Sequence, residues 1–446
     1  MPKPIVAIVG RPNVGKSTLF NRLVEERLAI VSDTAGTTRD RLYGDAEFAG
    51  RQFVVVDTGG LALDERDDLP GTPAAMLAGV RAQAQIAIDE ADAVVFVVDV
   101  EQGLTPHDSE IADILRRSAK PVYLVVNKAD NEKRAQDAVE FFQLGLGDPI
   151  PISALHGVGT GDLLDQIIAN LPAATEQPPA EFPRLAIVGR TNVGKSSLLN
   201  AILGEERAMV SDMPGTTRDA LDTEVLWDGQ RLVLIDTAGL RKRGHIDPGI
   251  ERYSSLRALR AIQRADVALL VIDAAAGVLA QDQHVASYIL AEGKGVVIVV
   301  NKWDLIEKDE RTIIEFTKRV RAALDFIAYA PIVFVSAKTR QRVRQVIEKA
   351  LAVRVAWHLR APTGELNELV RAATTKHAPV SKGKRTLKFF YATQADGAPP
   401  TFVFFVNDKR LVHFTYERFL ENQIRERWGF EGAPLRMIFR NRRAEK

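Results

Sequence analysis

Gly10-Arg11-Pro12-Asn13-Val14-Gly15-Lys16-Ser17 follows the apolar run at residues 5–9, and Gly189-Arg190-Thr191-Asn192-Val193-Gly194-Lys195-Ser196 follows the one at 185–188. Two glycines with four residues between them, then Lys-Ser, between a strand and a helix, read as a phosphate-binding loop. Backbone N–H groups must wrap an anion there, and glycine permits the tight turn. The lysine reaches the β and γ phosphates, the serine hydroxyl ligates Mg2+, and the following helix aims its positive end at the same charge. The copies stand 179 residues apart, glycine for glycine and lysine for lysine. Two nucleotide sites on one chain are therefore expected.

The neighbouring motifs recur as well. Thr37-Thr38-Arg39-Asp40 and Thr216-Thr217-Arg218-Asp219 keep the 179-residue offset; a hydroxyl from Thr38 or Thr217 can join the Mg2+ shell and sense the γ phosphate. Asp57-Thr58-Gly59-Gly60 and Asp236-Thr237-Ala238-Gly239 each close an apolar strand. Their aspartates can hold Mg2+ through water, and the N–H of Gly60 or Gly239 can meet the γ phosphate. Asn127-Lys128-Ala129-Asp130 and Asn301-Lys302-Trp303-Asp304 follow, now 174 residues apart. A carboxylate at Asp130 or Asp304 accepts from guanine N1–H and the exocyclic amine, whereas adenine N1 would repel it, so the reading is GTP over ATP. Ser153-Ala154 and Ser336-Ala337 end the series, their backbone N–H groups expected to face guanine O6. Any single motif also reads as an ordinary turn or cap. Repetition in the same order at strand ends excludes that reading for the set.

The 446 residues allow about three domains, and 46% hydrophobic content suits a packed chain. Cysteine is absent, which excludes a disulfide framework and a thiolate metal site. The amino terminus lacks a secretory layout and no apolar run approaches a bilayer span, so a cytoplasmic protein without membrane contact is expected. Short apolar strands alternating with helix-length segments predict an α/β fold, mainly parallel sheet with helices on both faces, over residues 1–170 and 184–356. Residues 171–183 read as a stiff proline-rich linker. Residues 357–446 read as a small α+β unit, and from Arg354 onward 18 Lys and Arg stand against 9 Asp and Glu, in a chain of net charge +1 overall. The basic end is where an anionic partner is expected. Gly429-Phe430-Glu431-Gly432 has the spelling of a single-strand RNA grip, but it follows the last predicted helix and reads as a helix stop and turn.

In order and wording these motifs resemble the Era-type GTPases. Two such domains ahead of a basic α+β unit resemble the double-Era family over essentially the whole chain, with 383–385, 391–394 and 399–402 matching its KH-like third domain. The resemblance implies GTP hydrolysis with Mg2+, and a monomer acting in assembly of the large ribosomal subunit with ribosomal RNA as partner. It further implies that nucleotide state controls the domain arrangement. Leu61 and Leu240 stand where Ras-type enzymes carry a water-orienting glutamine. The resemblance implies that Asn13 and Asn192 help to bind K+, which replaces an arginine finger. Two alternatives stay open: an RNA-binding module with regulatory nucleotide sites, and a tRNA-modification GTPase, whose folate domain and terminal cysteine are missing here. The copies differ beyond the γ-phosphate motif, acidic at 64–68 and basic at 241–243. That difference predicts a protein contact for the first switch and an RNA contact for the second.

Overall fold

The computed structural model of the chain describes residues 3–25, 43–57, 85, 91–172, 182–206, 208–210, 222–237, 254–307, 309, 311–377, 379 and 386–441. Thr38, Thr58, Gly59, Gly60, Thr217, Ala238 and Gly239 lie outside the described residues, as do Leu61, Leu240, the charged runs 64–68 and 241–243, linker residues 173–181 and the segment 383–385. The chain divides into two compact units, one carrying the first phosphate loop and the other the second loop together with the C-terminal domain.

The first unit is built on β1 (Ile5–Val9), β2 (Tyr43–Phe48), β3 (Arg51–Asp57), β4 (Ala93–Asp99), β5 (Val122–Asn127) and β6 (Ile150–Pro151), in the order β2-β3-β1-β4-β5-β6. Every residue of β1 and β4 is buried, which is why these strands read as unbroken apolar runs. Helices α1 (Lys16–Glu25), α2 (Pro106–Arg116), α3 (Glu132–Asp137) and α4 (Thr160–Asn170) complete it. Leu19, Phe20 and Leu23 of α1 and Leu163 and Ile167 of α4 share a core with Val6, Ile8 and Val55. α2 starts on a reciprocal cap between Thr105 and Asp108, with Pro106 in the first turn.

In the second unit β7 (Arg184–Val188), β8 (Ala208–Val210), β9 (Thr223–Trp227), β10 (Gln230–Ile235), β11 (Val267–Asp273), β12 (Gly295–Asn301) and β13 (Ile332–Phe334) follow the order β13-β12-β11-β7-β10-β9-β8. Its helices are α5 (Lys195–Leu203), the end of α6 (Ser254–Arg264, of which the residues up to Arg260 group with the first unit), α7 (Ala280–Ala291), α8 (Thr312–Ala323) and α9 (Val343–Trp357). The parallel centre of both sheets is the expected one. The hairpin partners β2 and β9, which run antiparallel to β3 and β10, were not expected, nor was β8. Ala49-Gly50 (φ 47° and 78°) and Asp228-Gly229 (φ 48° and 81°) turn these hairpins, and an Asp-Gly pair with two left-handed residues is a tight hairpin turn legible in principle.

The C-terminal domain consists of α10 (Thr363–Lys376), β14 (Phe389–Ala395), β15 (Thr401–Val406), α11 (Phe414–Trp428) and β16 (Arg436–Asn441). β14 pairs antiparallel and β16 parallel with β15. Leu366, Val370, Phe402, Phe404, Leu420 and Ile424 form its core. It is seated on the second G domain through backbone: Val296 N–H donates to the Gly432 carbonyl (2.8 Å) and Gly432 N–H to the Tyr329 carbonyl (2.9 Å). Trp357, part of the C-terminal core, donates through Nε1 to the Gly293 carbonyl at 2.8 Å. The Gly-Phe-Glu-Gly stretch is thus the expected stop and turn after α11. Phe430 is buried in the core and Gly432 lies against the start of β12, so this segment is a domain contact. No helix among the described residues is long and apolar enough to cross a membrane.

Candidate nucleotide sites

β1 lies between β3 and β4, and β7 between β10 and β11, so the strand order reverses direction at β1 and at β7. The crevice beyond the strand ends at such a reversal is where doubly wound sheets bind ligands, and each phosphate loop begins there. A Cβ on Gly10 would meet the Val97 carbonyl at 2.4 Å, and one on Gly189 the Val271 carbonyl at 2.4 Å. A Cβ on Gly15 or Gly194 would strike Asn127 Nδ2 at 2.2 Å or Asn301 Nδ2 at 2.3 Å. Glycine is therefore demanded by close approach at both ends of both loops. Asn13 (φ 65°) and Asn192 (φ 60°) take the left-handed conformation that asparagine tolerates better than most residues. Lys16 and Lys195 open α1 and α5 and are buried. Lys16 Nζ donates to the Arg11 carbonyl at 2.8 Å, and Lys195 Nζ to the Gly189 and Arg190 carbonyls at 2.7 and 2.6 Å. Each ammonium is held over its own loop.

On the base side, Asn127 and Asn301 end β5 and β12. Asn127 Nδ2 donates to the Val14 carbonyl at 2.8 Å, and its Oδ1 accepts from Ala154 N–H at 3.0 Å. Asn301 repeats this with the Val193 carbonyl at 2.9 Å and Ala337 N–H at 3.0 Å. The asparagine thus braces the phosphate loop against the base loop, and the alanine N–H groups expected to face guanine O6 donate to it. Ser153 Oγ donates to Asp130 at 2.6 Å, holding one oxygen of the base-reading carboxylate. Ser153 Oγ also accepts from His156 N–H at 3.3 Å, and Ser336 Oγ likewise from Thr339 N–H at 3.1 Å. Asp304 lies in a short 3-10 turn anchored by Trp303, which packs between Phe316 and Phe334.

Two further aspartates escaped the sequence reading. Lys128 and Lys302, both left-handed, direct their ammonium groups to Asp99 (2.6 Å) and Asp273 (2.7 Å) at the ends of β4 and β11. Burial pushes the Asp273 carboxyl up, but the Lys302 ammonium and the Ala275 N–H outweigh it and hold the group below the ordinary range. The register Asp99↔Asn127 and Asp273↔Asn301 was the available signal: each aspartate ends an apolar run beside the asparagine. The second residue of each loop is also tethered. Arg11 Nε approaches the buried Asp108 at 3.3 Å, and Arg190 Nε the buried Asp282 at 3.4 Å. Burial raises the Asp282 carboxyl despite Leu279 N–H and Arg190.

On the metal side, Ser17 Oγ donates to Asp57 Oδ2 at 2.7 Å, so a hydroxyl and a carboxylate converge at the start of α1. In the second copy Ser196 Oγ is buried without a hydrogen-bond partner. Both arrangements fit a hard divalent ion, since each offers oxygen donors: Ser17 with Asp57, and the unpartnered Ser196 hydroxyl. Among the described residues no cluster of three or more His, Cys, Asp or Glu could hold a metal unaided. Mg2+ takes few protein ligands and completes its shell with phosphate oxygens and water. Thr38 and Thr217 lie outside the described residues and are not placed by the structure.

Comparison with known proteins agrees with this geometry. A family described as "50S ribosome-binding GTPase" matches residues 5–128 and 184–302, and one described as "KH-domain-like of EngA bacterial GTPase enzymes, C-terminal" matches 360–440. GTPase Der of Chloroflexus aggregans is 54% identical over 446 residues, covering 99% of each chain. GTPase Der of Moorella thermoacetica is 54% identical over 443 residues, covering 99% of this chain and 100% of its own. Among solved structures, Era of Aquifex aeolicus bound to GDP and AlF4- is 21% identical over 78% of this chain and 98% of its own; its TM-score of 0.30 carries no argument. With two matched GTPase regions, a matched KH-like region and full-length relatives above half identity, the chain belongs to the Der (EngA) family of GTPases.

Proposed function

We propose that the chain binds GTP at both loops through the residues named above, and that hydrolysis at each site serves to time association with the large ribosomal subunit. It is a GTPase, converting GTP to GDP and phosphate. The observation that carries the two-site reading is the twin asparagine brace. Asn127 and Asn301 tie each phosphate loop to the Ser-Ala loop on the base side by the same buried hydrogen bonds in both copies. A single decayed copy would have no reason to keep them.

Gly10 to Ser17 and Gly189 to Ser196 would wrap the phosphates with backbone N–H groups, and Lys16 and Lys195 would leave their carbonyl partners for the β and γ oxygens. Asp130 and Asp304 would read the base. Thr38, Thr217, Gly60 and Gly239 would report the γ phosphate. Mg2+ would be held by Ser17 and Asp57, or Ser196 and Asp236, with Thr38 or Thr217, and would neutralise charge on the phosphates. Asn13 and Asn192 would favour a K+ ion beside the phosphates, where Leu61 and Leu240 supply no polar group to orient water. The test is turnover in K+ against Na+ at equal ionic strength. Faster hydrolysis in K+ is expected, and equal rates would remove the cation from the account.

The ribosomal reading is supported by the matched family's description and by the basic C-terminal end. Since the Gly429–Gly432 turn is a domain contact, the basic unit would meet folded RNA through phosphates rather than grip a single strand. Sedimentation with ribosomal subunits under GTP, GDP and a non-hydrolysable analogue is the test. Association that changes with nucleotide supports the timer, and identical profiles remove it.

A further inference from the structure

The two metal-side aspartates are held differently. Asp57 is the last residue of β3, and its carboxylate accepts from Ser17. β10 stops one residue earlier, at Ile235, and Asp236 turns out of the strand with φ 55°. Its N–H donates to Asp222 Oδ1 at 3.0 Å, and Asp222 Oδ2 is paired with Arg264 at the end of α6. The next residue, Thr237, is buried and bonds Thr223 Oγ1. Ser196 Oγ, the counterpart of Ser17, is left buried without a partner.

We infer that Asp222 and Arg264 are positioning residues of the second site alone: they hold the Asp236 backbone left-handed, so that Asp236 reaches a strand-end position like that of Asp57 only when this bond breaks. Among the described residues the first copy builds no such latch. At the 179-residue offset Asp222 corresponds to Tyr43. In the register that matches Asp92 with Asp266, both of which cap their domain's first strand, Arg264 corresponds to Glu90. A left-handed aspartate is tolerated but unfavourable, and a carboxylate accepting a backbone N–H while paired with a guanidinium is what can maintain it. The consequence is unequal metal demand. Mg2+ acts at the second site against the latch, and at the first site without one.

The inference rests on the reading of Asp236 as a Mg2+ ligand, and the experiment separates the two. In the full chain carrying Asp130→Ala, which silences guanine binding in the first domain, release of a fluorescent GDP analogue is followed against Mg2+ concentration. Asp222→Ala should lower the Mg2+ midpoint for nucleotide retention about tenfold, the worth of one charge-assisted hydrogen bond. Arg264→Gln should lower it less, in the same direction. An unchanged or raised midpoint overturns the latch. If Asp222→Ala does not fold at the assay temperature, Asp222→Asn, which keeps the acceptor but loses the ion pair, carries the test: a smaller drop supports the latch and none overturns it. Asp236→Asn distinguishes the failures. If it leaves the Mg2+ dependence intact, the magnesium reading itself is wrong. If it abolishes the dependence while the Asp222 variants move nothing, only the latch is wrong.

Discussion

Replacing Asn127 or Asn301 by alanine tests the brace that joins phosphate loop to base loop. Asn127 and Asn301 are 3% and 2% exposed, and each makes two buried hydrogen bonds. Truncation leaves a buried carbonyl, Val14 or Val193, and a buried N–H, Ala154 or Ala337, without the partners shown here. Leaving one buried polar group unsatisfied costs about 1–3 kcal/mol, so the pair costs about 2–6 kcal/mol before water enters. With partial hydration a loss of about 3 kcal/mol is expected, or about 100-fold in GDP affinity at the altered site. Titration of the full chain with a fluorescent GDP analogue resolves the two sites, the untouched copy serving as reference. A loss below about threefold would show that the brace positions nothing the nucleotide uses. An equal loss at both sites would show that the effect is global unfolding.

Arg11→Ala leaves the buried Asp108 carboxylate without its guanidinium; breaking a buried pair costs about 3–5 kcal/mol, and thermal unfolding of the first domain should fall accordingly, while an unchanged transition would deny the tether. Gly432→Ala sets a Cβ 2.3 Å from Val353 Cγ2 and 2.9 Å from the Val296 carbonyl, so the C-terminal domain should become protease-sensitive with GDP affinity at the second site retained; equal resistance would contradict the seating. For Asp273 the folded pKa lies below the ordinary aspartate range. Its contribution is therefore full above that range and lost as pH falls through the lower folded value. The stability gap between the parent chain and Asp273→Asn should stay constant from pH 7 to about 4 and close only below it. A gap that closes near neutrality would refute the Lys302 pairing. Lys16→Ala and Lys195→Ala should each silence hydrolysis in their own domain; if Lys16→Ala stops both, the sites are not independent catalysts.

The nucleotide cradle was legible because its chemistry is local. Spacing alone put glycine where Val97 and Val271 carbonyls leave no room for a side chain, and lysine at the first turn of a helix. The core strands were legible because a parallel strand covered on both faces is an apolar run. The hairpin strands β2 and β9 were not, since the polar residues of Tyr43–Phe48 break an apolar run and Thr223–Trp227 buries only alternate residues. Asp99, Asp273, Asp108 and Asp282 escaped because each acts on a partner far along the chain, through sheet register or a helix start. The divergence of Asp236 from Asp57 was invisible: the motif is spelled alike, and the cause lies at Asp222 and Arg264, outside it.

If one chain holds two guanine sites, the stoichiometry of GDP binding shows it. Equilibrium dialysis of the full chain should give two GDP per molecule, falling to one with Asp130→Ala or Asp304→Ala and to none with both. One GDP per molecule in the unaltered chain, or full occupancy after either substitution, would contradict it.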